Sequence, residues 1–190
     1  KAGLGLLTNI PGSSKPVSVI EDTSVSPSKL SAYIKEFKQV LHKYNLSCVY
    51  HAHIATGELH LRPVLDLKNK EDVALFRKVS VDVANLVKKY RGSLSGEHGD
   101  GRLRGEFIPL MYGEEIYDLM KELKQVWDKD NIFNKGKIID TPPMDTSLRY
   151  SQFIEENNKK RLDLMQWKCR LQKGCRILRY NVSFLSCNKR

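Results

Sequence analysis

Residues 51–63 read HAHIATGELHLRP and hold three of the five histidines of the chain. Apolar residues alternate with polar ones on both sides of this stretch, as they do in β-strands. Thr56 and Gly57 predict the two-residue loop of a β-hairpin, because such loops favour glycine for its access to positive φ. The two strands then pair Ala55 with Glu58 next to the loop. The sequence therefore predicts a hairpin that carries most of the histidines.

The predicted register places polar side chains on one face of this hairpin. It pairs His53 with His60 and His51 with Arg62, and side chains alternate between the two faces of a strand, so all four share a face. Directly opposed residues have Cβ atoms roughly 5 Å apart, and two imidazoles at that separation can bind one divalent metal ion. Plain surface histidines are the alternative. A third metal ligand from elsewhere in the chain is needed to decide.

A glycine-rich segment, residues 95–101 with the sequence SGEHGDG, offers that ligand. Its glycines allow sharp turns and the close approach of a bound molecule. The carboxylate of Glu97 together with two imidazoles suits zinc, manganese or iron(II) and leaves positions open for a substrate. His98, next to a metal-binding glutamate, is then well placed as a general base. A glycine-rich turn with a surface charge pair is the alternative interpretation.

Hydrophobic periodicity predicts three helices around the hairpin. Apolar residues recur at intervals of three and four over residues 26–45, 70–90 and 114–127, and the last helix is expected to pack through its apolar face. A short strand near residues 17–20 and another after the second helix give the order strand, helix, two strands, helix, strand, helix. This order predicts an α+β fold with a ferredoxin-like antiparallel sheet and helices on one face. The other face carries the histidines.

Length and charge bound the architecture. The chain has 190 residues and 41% hydrophobic content, which predicts one domain over residues 16–150, a leading loop or linker over residues 1–15, and a basic tail over residues 151–190 that is a candidate for disorder. Residues 157–190 hold ten of the 32 basic and one of the 22 acidic residues, so most of the net charge of +10 lies in this tail. Nucleic-acid binding is marked by a basic patch on a folded face, and no nucleic-acid partner is expected.

The four cysteines match no paired zinc or iron–sulfur spacing. They are Cys48, Cys169, Cys175 and Cys187. Without a disulfide framework or an export signal, the sequence predicts a reducing, cytoplasmic setting, and a peripheral association with the inner membrane is left open. No run of about 18 apolar residues that could span a membrane is present.

Three motifs in a fixed order carry a family resemblance. Six residues separate His53 from His60, residues 95–99 read SGEHG, and residues 134–137 read NKGK. In this order the motifs resemble the C-terminal domain of FAD-linked oxidases, a group that includes D-lactate and D-2-hydroxyglutarate dehydrogenases and the glycolate oxidase flavoprotein subunit. The match covers about residues 16–140. The resemblance implies a cap domain with a ferredoxin-like sheet that follows a separate FAD-binding domain.

The resemblance also implies roles for five residues. His53, His60 and Glu97 would bind a divalent zinc, manganese or iron ion, and His98 would take the hydroxyl proton of the substrate while a hydride passes to FAD. Asn134 would bind the cofactor from the flavin side. The implied function is the substrate- and metal-binding domain of a flavin-dependent D-2-hydroxyacid dehydrogenase or oxidase, with a small 2-hydroxy acid as substrate.

Two further expectations follow from the resemblance. FAD would be held mainly by an upstream FAD-binding domain, so the isolated chain is expected to be inactive, and a homo-oligomer is left open. A non-catalytic metal-binding or interaction module is the alternative function.

The chain departs from the family pattern at three places. Residues 55–58 read ATGE where the family usually has Gly-Asp-Gly-Asn, and Lys135 replaces an expected proline. Arg62 stands where many members have asparagine. Because Arg62 shares the histidine face, it could bind a carboxylate of the substrate, which points to a subgroup that uses dicarboxylates. A plain surface arginine is the alternative.

Overall fold

The computed structural model describes residues 11–148. The predicted tail over residues 151–190 lies outside the described residues, as does most of the leading loop over residues 1–15. The described part mixes helices with a small antiparallel sheet, which confirms the α+β class. Its strands are β1 (Lys15–Pro16), β2 (Ile20–Ser24), β3 (Cys48–His53) and β4 (Glu58–Leu65), and its α-helices are α1 (Leu30–Lys43), α2 (Lys70–Lys89), α3 (Ile108–Tyr112) and α4 (Glu114–Trp127).

β4 is the central strand of a four-stranded sheet. β1 and β2 pair with one edge of β4 and β3 pairs with the other, and all three pairings are antiparallel. Pro63 lies within this central strand, a position at which proline is rare. Its carbonyl still accepts a hydrogen bond from the backbone N–H of Val17 at 2.9 Å. It lies opposite the interval between β1 and β2, where the regular ladder is interrupted.

The hydrophobic core lies between one face of the sheet and helices α1 and α2. Leu59, Leu61 and Leu65 alternate along β4 and are buried, as the period of two of a strand requires. The helices contribute buried residues at helical spacing, which are Tyr33, Phe37 and Leu41 from α1 and Phe76, Val79, Val83 and Val87 from α2. The opposite face of β4 is left to His60 and Arg62.

The hairpin register differs from the predicted one by two residues. His53 pairs with Glu58 and His51 with His60. The loop is longer than predicted, because a 3₁₀ turn over Ile54–Thr56 is closed by Gly57 at φ 77°. A Cβ at Gly57 would lie 1.9 Å from the carbonyl oxygen of Val25, so the chain that packs under the loop requires glycine. A shift of two residues keeps every side chain on its predicted face.

The predicted packing of α4 through its apolar face is wrong for the residues that the structure describes. Tyr117 is its buried residue, whereas Leu119 and Leu123 are exposed and Trp127 is 80% exposed. An apolar stripe at helical spacing shows that a face is apolar but not what covers it. Among residues 11–148, no helix is long and apolar enough to cross a membrane.

Candidate metal and substrate site

A bulge in β2 creates the base of the site. Glu21 pairs with His60 and Thr23 with Leu59, so Asp22 is an extra residue on its strand. Asp22 has φ 88°, a conformation that L-residues rarely adopt. A bulge re-aims the side chains beside it, and here the fully buried side chain of Asp22 is available to the neighbouring loop.

Asp22 holds the loop that carries the glutamate and histidine of the SGEHG motif. Its carboxylate accepts hydrogen bonds from the Ser95 hydroxyl at 2.8 Å and from the backbone N–H groups of Glu97 and His98 at 2.9 Å each. The backbone N–H of Gly96 donates to the Asp22 carbonyl at 2.8 Å. Burial alone would raise the pKa of Asp22, but these hydrogen bonds hold it below its ordinary value. Asp22 is therefore a carboxylate at neutral pH and fixes the loop.

Arg104 fastens the far end of the same loop. Its buried guanidinium donates to the carbonyl of Gly99 at 2.8 Å and to the carbonyl of Glu21. The loop is therefore tied to β2 at both ends. The sequence interpretation missed Glu21, Asp22 and Arg104. For Glu21 and Asp22, the one signal in the sequence was a pair of adjacent acids at the end of a short apolar strand.

One oxygen of Glu97 lies at the centre of the converging side chains. Glu97 Oε1 lies 3.3 Å from Nε2 of His98, 3.5 Å from Nε2 of His60 and 4.0 Å from Nε2 of His53. Two ligand atoms that each lie about 2.1 Å from a tetrahedral metal ion are roughly 3.4 Å apart. The distances to His98 and His60 fit a divalent metal ion, whereas the distance to His53 is about 0.6 Å longer than this spacing.

A second possible donor set has Asp22 in place of His53. Ligand atoms of Asp22, His60, Glu97 and His98 all lie within 4.8 Å of one another. Asp22 already accepts three hydrogen bonds of the roughly four that a carboxylate can accept. The converging atoms of His53, His60 and Glu97 accept no hydrogen bond from any residue between 11 and 148, so they are the better donor set.

The protonation of His60 suits a metal ligand. The pKa of His60 is lowered below its ordinary value, mainly by burial and secondly by the nearby His98. The imidazole is therefore neutral at pH 7, and a nitrogen can bind a cation. Nδ1 of His60 is buried and has no hydrogen-bond partner among the described residues. The neighbouring ring centroids of His53 and His98 lie 5.1 and 5.2 Å from that of His60.

Acidic side chains outnumber basic ones around these histidines. Glu58 lies 3.8 Å from Nε2 of His60. Burial, together with the carboxylates of Asp22 and Glu97, raises the pKa of Glu58 above its ordinary value. A bound cation would offset the repulsion that Asp22 and Glu97 exert on an ionised Glu58, so the charge of the site also favours a metal ion.

Arg62 lies on the histidine face, as predicted, but its Nε is already paired with a carboxylate. Nε forms an ion pair with Oε2 of Glu21, and the Arg62 side chain is 19% exposed. The other oxygen of Glu21 lies 3.4 Å from Nδ1 of His98. Arg62 is therefore not a plain surface residue, and Glu21 connects it to the histidine of the SGEHG motif.

Asn134 is not brought into this cluster. Its side-chain oxygen accepts a hydrogen bond from Lys137 at 3.1 Å, within the loop that follows α4. It lines a cavity of about 450 Å³ between that loop and the exposed face of α4. None of the histidines named above lines this cavity.

Comparison with known proteins identifies the family. The family described as "FAD linked oxidases, C-terminal domain" matches residues 1–138. The chain belongs to this family. The predicted resemblance to the C-terminal domain of FAD-linked oxidases is thereby confirmed.

Curated relatives of this FAD-linked oxidase domain are much longer proteins. The chain is 41% identical over 138 residues to the D-2-hydroxyglutarate dehydrogenase of Haemophilus influenzae. The aligned region covers 73% of the chain and 13% of that protein. It is 38% identical over 148 residues to the D-2-hydroxyglutarate dehydrogenase of Escherichia coli, covering 78% and 14%. It is 28% identical over 124 residues to the glycolate oxidase subunit GlcD of Bacillus subtilis, covering 65% and 26%.

Proposed function

We propose that this chain is the substrate- and metal-binding part of a flavin-dependent D-2-hydroxyacid dehydrogenase. The observation that carries the proposal is the convergence of three imidazole nitrogens on one oxygen of Glu97, on the sheet face that the helices leave free. Membership of the FAD-linked oxidases supports an oxidoreductase, and relatives named D-2-hydroxyglutarate dehydrogenase support a hydroxy acid as the substrate.

Three side chains would hold the metal ion. His53, His60 and Glu97 offer two imidazoles and a carboxylate, a donor set that suits zinc, manganese or iron. The bound ion would polarise the hydroxyl and carboxylate oxygens of the substrate. FAD, held mainly by an FAD-binding domain upstream of this one, would supply the hydride acceptor.

His98 would act as the general base. Its Nε2 lies 3.3 Å from Glu97 Oε1, so a hydroxyl group held beside Glu97 would be within reach of that nitrogen. Transfer of the hydroxyl proton to Nε2 would let the oxygen electron pair form the C=O bond of a 2-oxo acid, while the C–H electron pair leaves with the hydrogen as a hydride to FAD. A cytoplasmic setting stays a prediction, as does the inactivity of the isolated chain.

Arg62 supports a dicarboxylate as the substrate class. Nε of Arg62 is paired with Glu21, whereas its terminal nitrogens form no hydrogen bond or ion pair within residues 11–148. A guanidinium fixed at one edge can bind a carboxylate through its other edge in a bidentate manner. A second carboxylate of a 2-hydroxy dicarboxylic acid would fit that edge.

We also infer a ferredoxin-like sheet with a reduced fourth strand. β4 lies between β2 and β3, and Ser93 pairs with Ser24 at the free edge of β2 through two backbone hydrogen bonds of 2.8 Å. This pairing supports the strand order of the ferredoxin-like sandwich, in which the last strand lies beside the first.

The test combines metal content with flavin reduction in the full-length flavoprotein. The purified protein should hold close to one zinc, manganese or iron ion, and H60A should lose it, whereas H42A, which removes an exposed histidine of α1, should retain it. H98A should keep the ion but reduce the flavin about 10²–10⁴ times more slowly with a D-2-hydroxy acid.

Two outcomes would contradict the proposal. Unchanged flavin reduction in H98A would exclude His98 as the base. A protein that holds the ion but reduces no flavin with any 2-hydroxy acid would instead be a metal-binding or interaction module.

A further inference from the structure

Glu21 is a buried carboxylate that lies between Arg62, the proposed substrate-binding residue, and His98, the proposed general base. It lies in β2 directly opposite His60, and its side chain is 9% exposed. Oε2 forms an ion pair with Nε of Arg62, and Oε1 lies 3.4 Å from Nδ1 of His98. In the part of the chain that the structure describes, no other group forms a hydrogen bond with Oε2 of Glu21 or Nε of Arg62.

The chemistry of these atoms fixes where protons lie. A guanidinium has only donors, so Arg62 requires an acceptor in Oε2. An ionised carboxylate is an acceptor at both oxygens, so Oε1 favours a proton on Nδ1 of His98. A neutral imidazole carries one proton, and Nε2 is then left with a free lone pair. Nε2 faces Oε1 of Glu97 at 3.3 Å, an oxygen that would be bound to the metal ion under the proposed function. The acceptors that then select the tautomer are Oε1 of Glu21 at 3.4 Å and Oδ1 of Asp22 at 4.0 Å, and both face Nδ1.

We propose that Glu21 is a positioning residue that holds His98 as the Nδ1–H tautomer, with Nε2 free to accept a proton, and that Arg62 keeps Glu21 in this role. The inference rests on the proposed function, in which His98 is the base and Arg62 binds a carboxylate. One buried side chain would thus orient both the proton acceptor and the group that recognises the substrate.

E21Q tests this assignment because an amide has one acceptor and one donor end. Arg62 can only donate, so the amide oxygen turns to Arg62 and the amide NH₂ turns to Nδ1 of His98. Nδ1 must then accept, and the imidazole proton moves to Nε2. An amide in place of the carboxylate that orients a catalytic imidazole produces a wrong tautomer in the same way in serine proteases.

The tautomer is read directly by ¹⁵N NMR. The chain has five histidines, so a histidine-labelled, zinc-loaded chain gives five imidazoles, and H98A identifies the signal of His98. Spectra are recorded at about pH 8.5, well above the ordinary histidine pKa of about 6.5. We expect the Nδ1–H form of His98 in the wild type and the Nε2–H form in E21Q. E21Q/R62M should return His98 to Nδ1–H, since the amide can then rotate.

E106Q is the matched control. Glu106 is also a mostly buried glutamate paired with an arginine, its Oε2 lying 2.9 Å from Nη2 of Arg77 and its side chain being 11% exposed. This variant should leave the tautomer of His98 unchanged. In the full-length flavoprotein, E21Q should lower the rate of flavin reduction about 100-fold or more, the scale of a lost general base.

Each failure has its own signature. The wild-type spectrum needs no variant to fold, and an Nε2–H tautomer of His98 there would overturn the inference. A zinc-loaded E21Q chain with His98 unchanged would overturn it as well and would leave the proposed function intact. A chain that holds no zinc, manganese or iron would overturn the proposed function and this inference with it.

Discussion

At the scale of single residues, Asp22 combines an unfavourable backbone with favourable side-chain bonds. A non-glycine residue at positive φ costs on the order of 1–3 kcal/mol, and Asp22 has φ 88°. Its carboxylate accepts three hydrogen bonds from the 95–98 loop, and a hydrogen bond to a charged group contributes about 1.5–3 kcal/mol. The bonds therefore outweigh the backbone cost, and the bulge persists because it holds Glu97 and His98.

A substitution series at Asp22 separates these two effects. D22A removes the hydrogen bonds and keeps the backbone cost, so the free energy of unfolding should fall by about 3 kcal/mol or more. D22G also removes the bonds but accepts positive φ, so it should be about 1 kcal/mol more stable than D22A. Urea denaturation measures both. D118A, on exposed α4, should change the free energy by less than about 0.5 kcal/mol, and a D22A variant as stable as D118A would contradict the clamp.

Cys48 gives a second prediction at this scale. Burial raises the pKa of its thiol to about 12, so at pH 8 roughly one molecule in ten thousand is a thiolate, against roughly a quarter for an ordinary cysteine. Iodoacetamide should therefore leave Cys48 unmodified in the folded chain and label it rapidly in urea. Peptide mapping by mass spectrometry distinguishes it from the other three cysteines. Equal labelling rates in both states would show that the thiol is not protected.

At the scale of elements, Asp82 fastens α1 to α2. Its carboxylate accepts hydrogen bonds from Nζ of Lys43 at 2.7 Å and from the hydroxyl of Tyr44 at 2.8 Å. Burial alone would raise the pKa of Asp82, but these two partners hold it below its ordinary value of 3.8. A lowered pKa in the folded state means that the stabilisation is complete above the unfolded value and is lost as the pH falls through the folded one.

D82N should therefore destabilise the chain in a pH-dependent manner. At pH 7 the free energy of unfolding should fall by about 1 kcal/mol, because the partly exposed pair is screened by solvent. Below about pH 4 the difference from the wild type should shrink, since the wild type loses the same charge. Urea denaturation over this pH range measures it, with E122Q on exposed α4 as the control. A deficit that stays constant with pH would show that the charge is not responsible.

The hairpin shows what the sequence can and cannot predict at this scale. The period of two places His51, His53, His60 and Arg62 on one face in any register that shifts by an even number of residues, so the face was predicted although the register was not. The register depends on Gly57, whose close approach to Val25 is a contact between distant segments. The bulge at Asp22 also depends on a distant segment and could not be predicted, because an extra residue in a strand is recognisable only once the partner strand is known.

At the scale of the whole molecule, the candidate site unites segments that are far apart in the sequence. Glu97 follows α2, His53 and His60 lie in the hairpin, and Asp22 comes from the bulge of β2. An ion bound by His53, His60 and Glu97 would therefore link the hairpin to the loop that Asp22 holds. Such an ion binds only when all three segments are folded together, so binding must stabilise the fold.

Metal loading should therefore raise the stability of the chain by an amount set by the affinity. Free zinc at a hundred times its dissociation constant adds about 2.7 kcal/mol to the free energy of unfolding, so the unfolding midpoint with zinc should exceed that with EDTA. H60A should lose this increment, while H42A should keep it. Any change in the midpoint caused by zinc at the cysteines at positions 169, 175 and 187 would be the same in H60A and H42A. Equal increments would therefore place the ion outside the hairpin, and an increment lost in H60A alone would assign it to the face that carries Glu97.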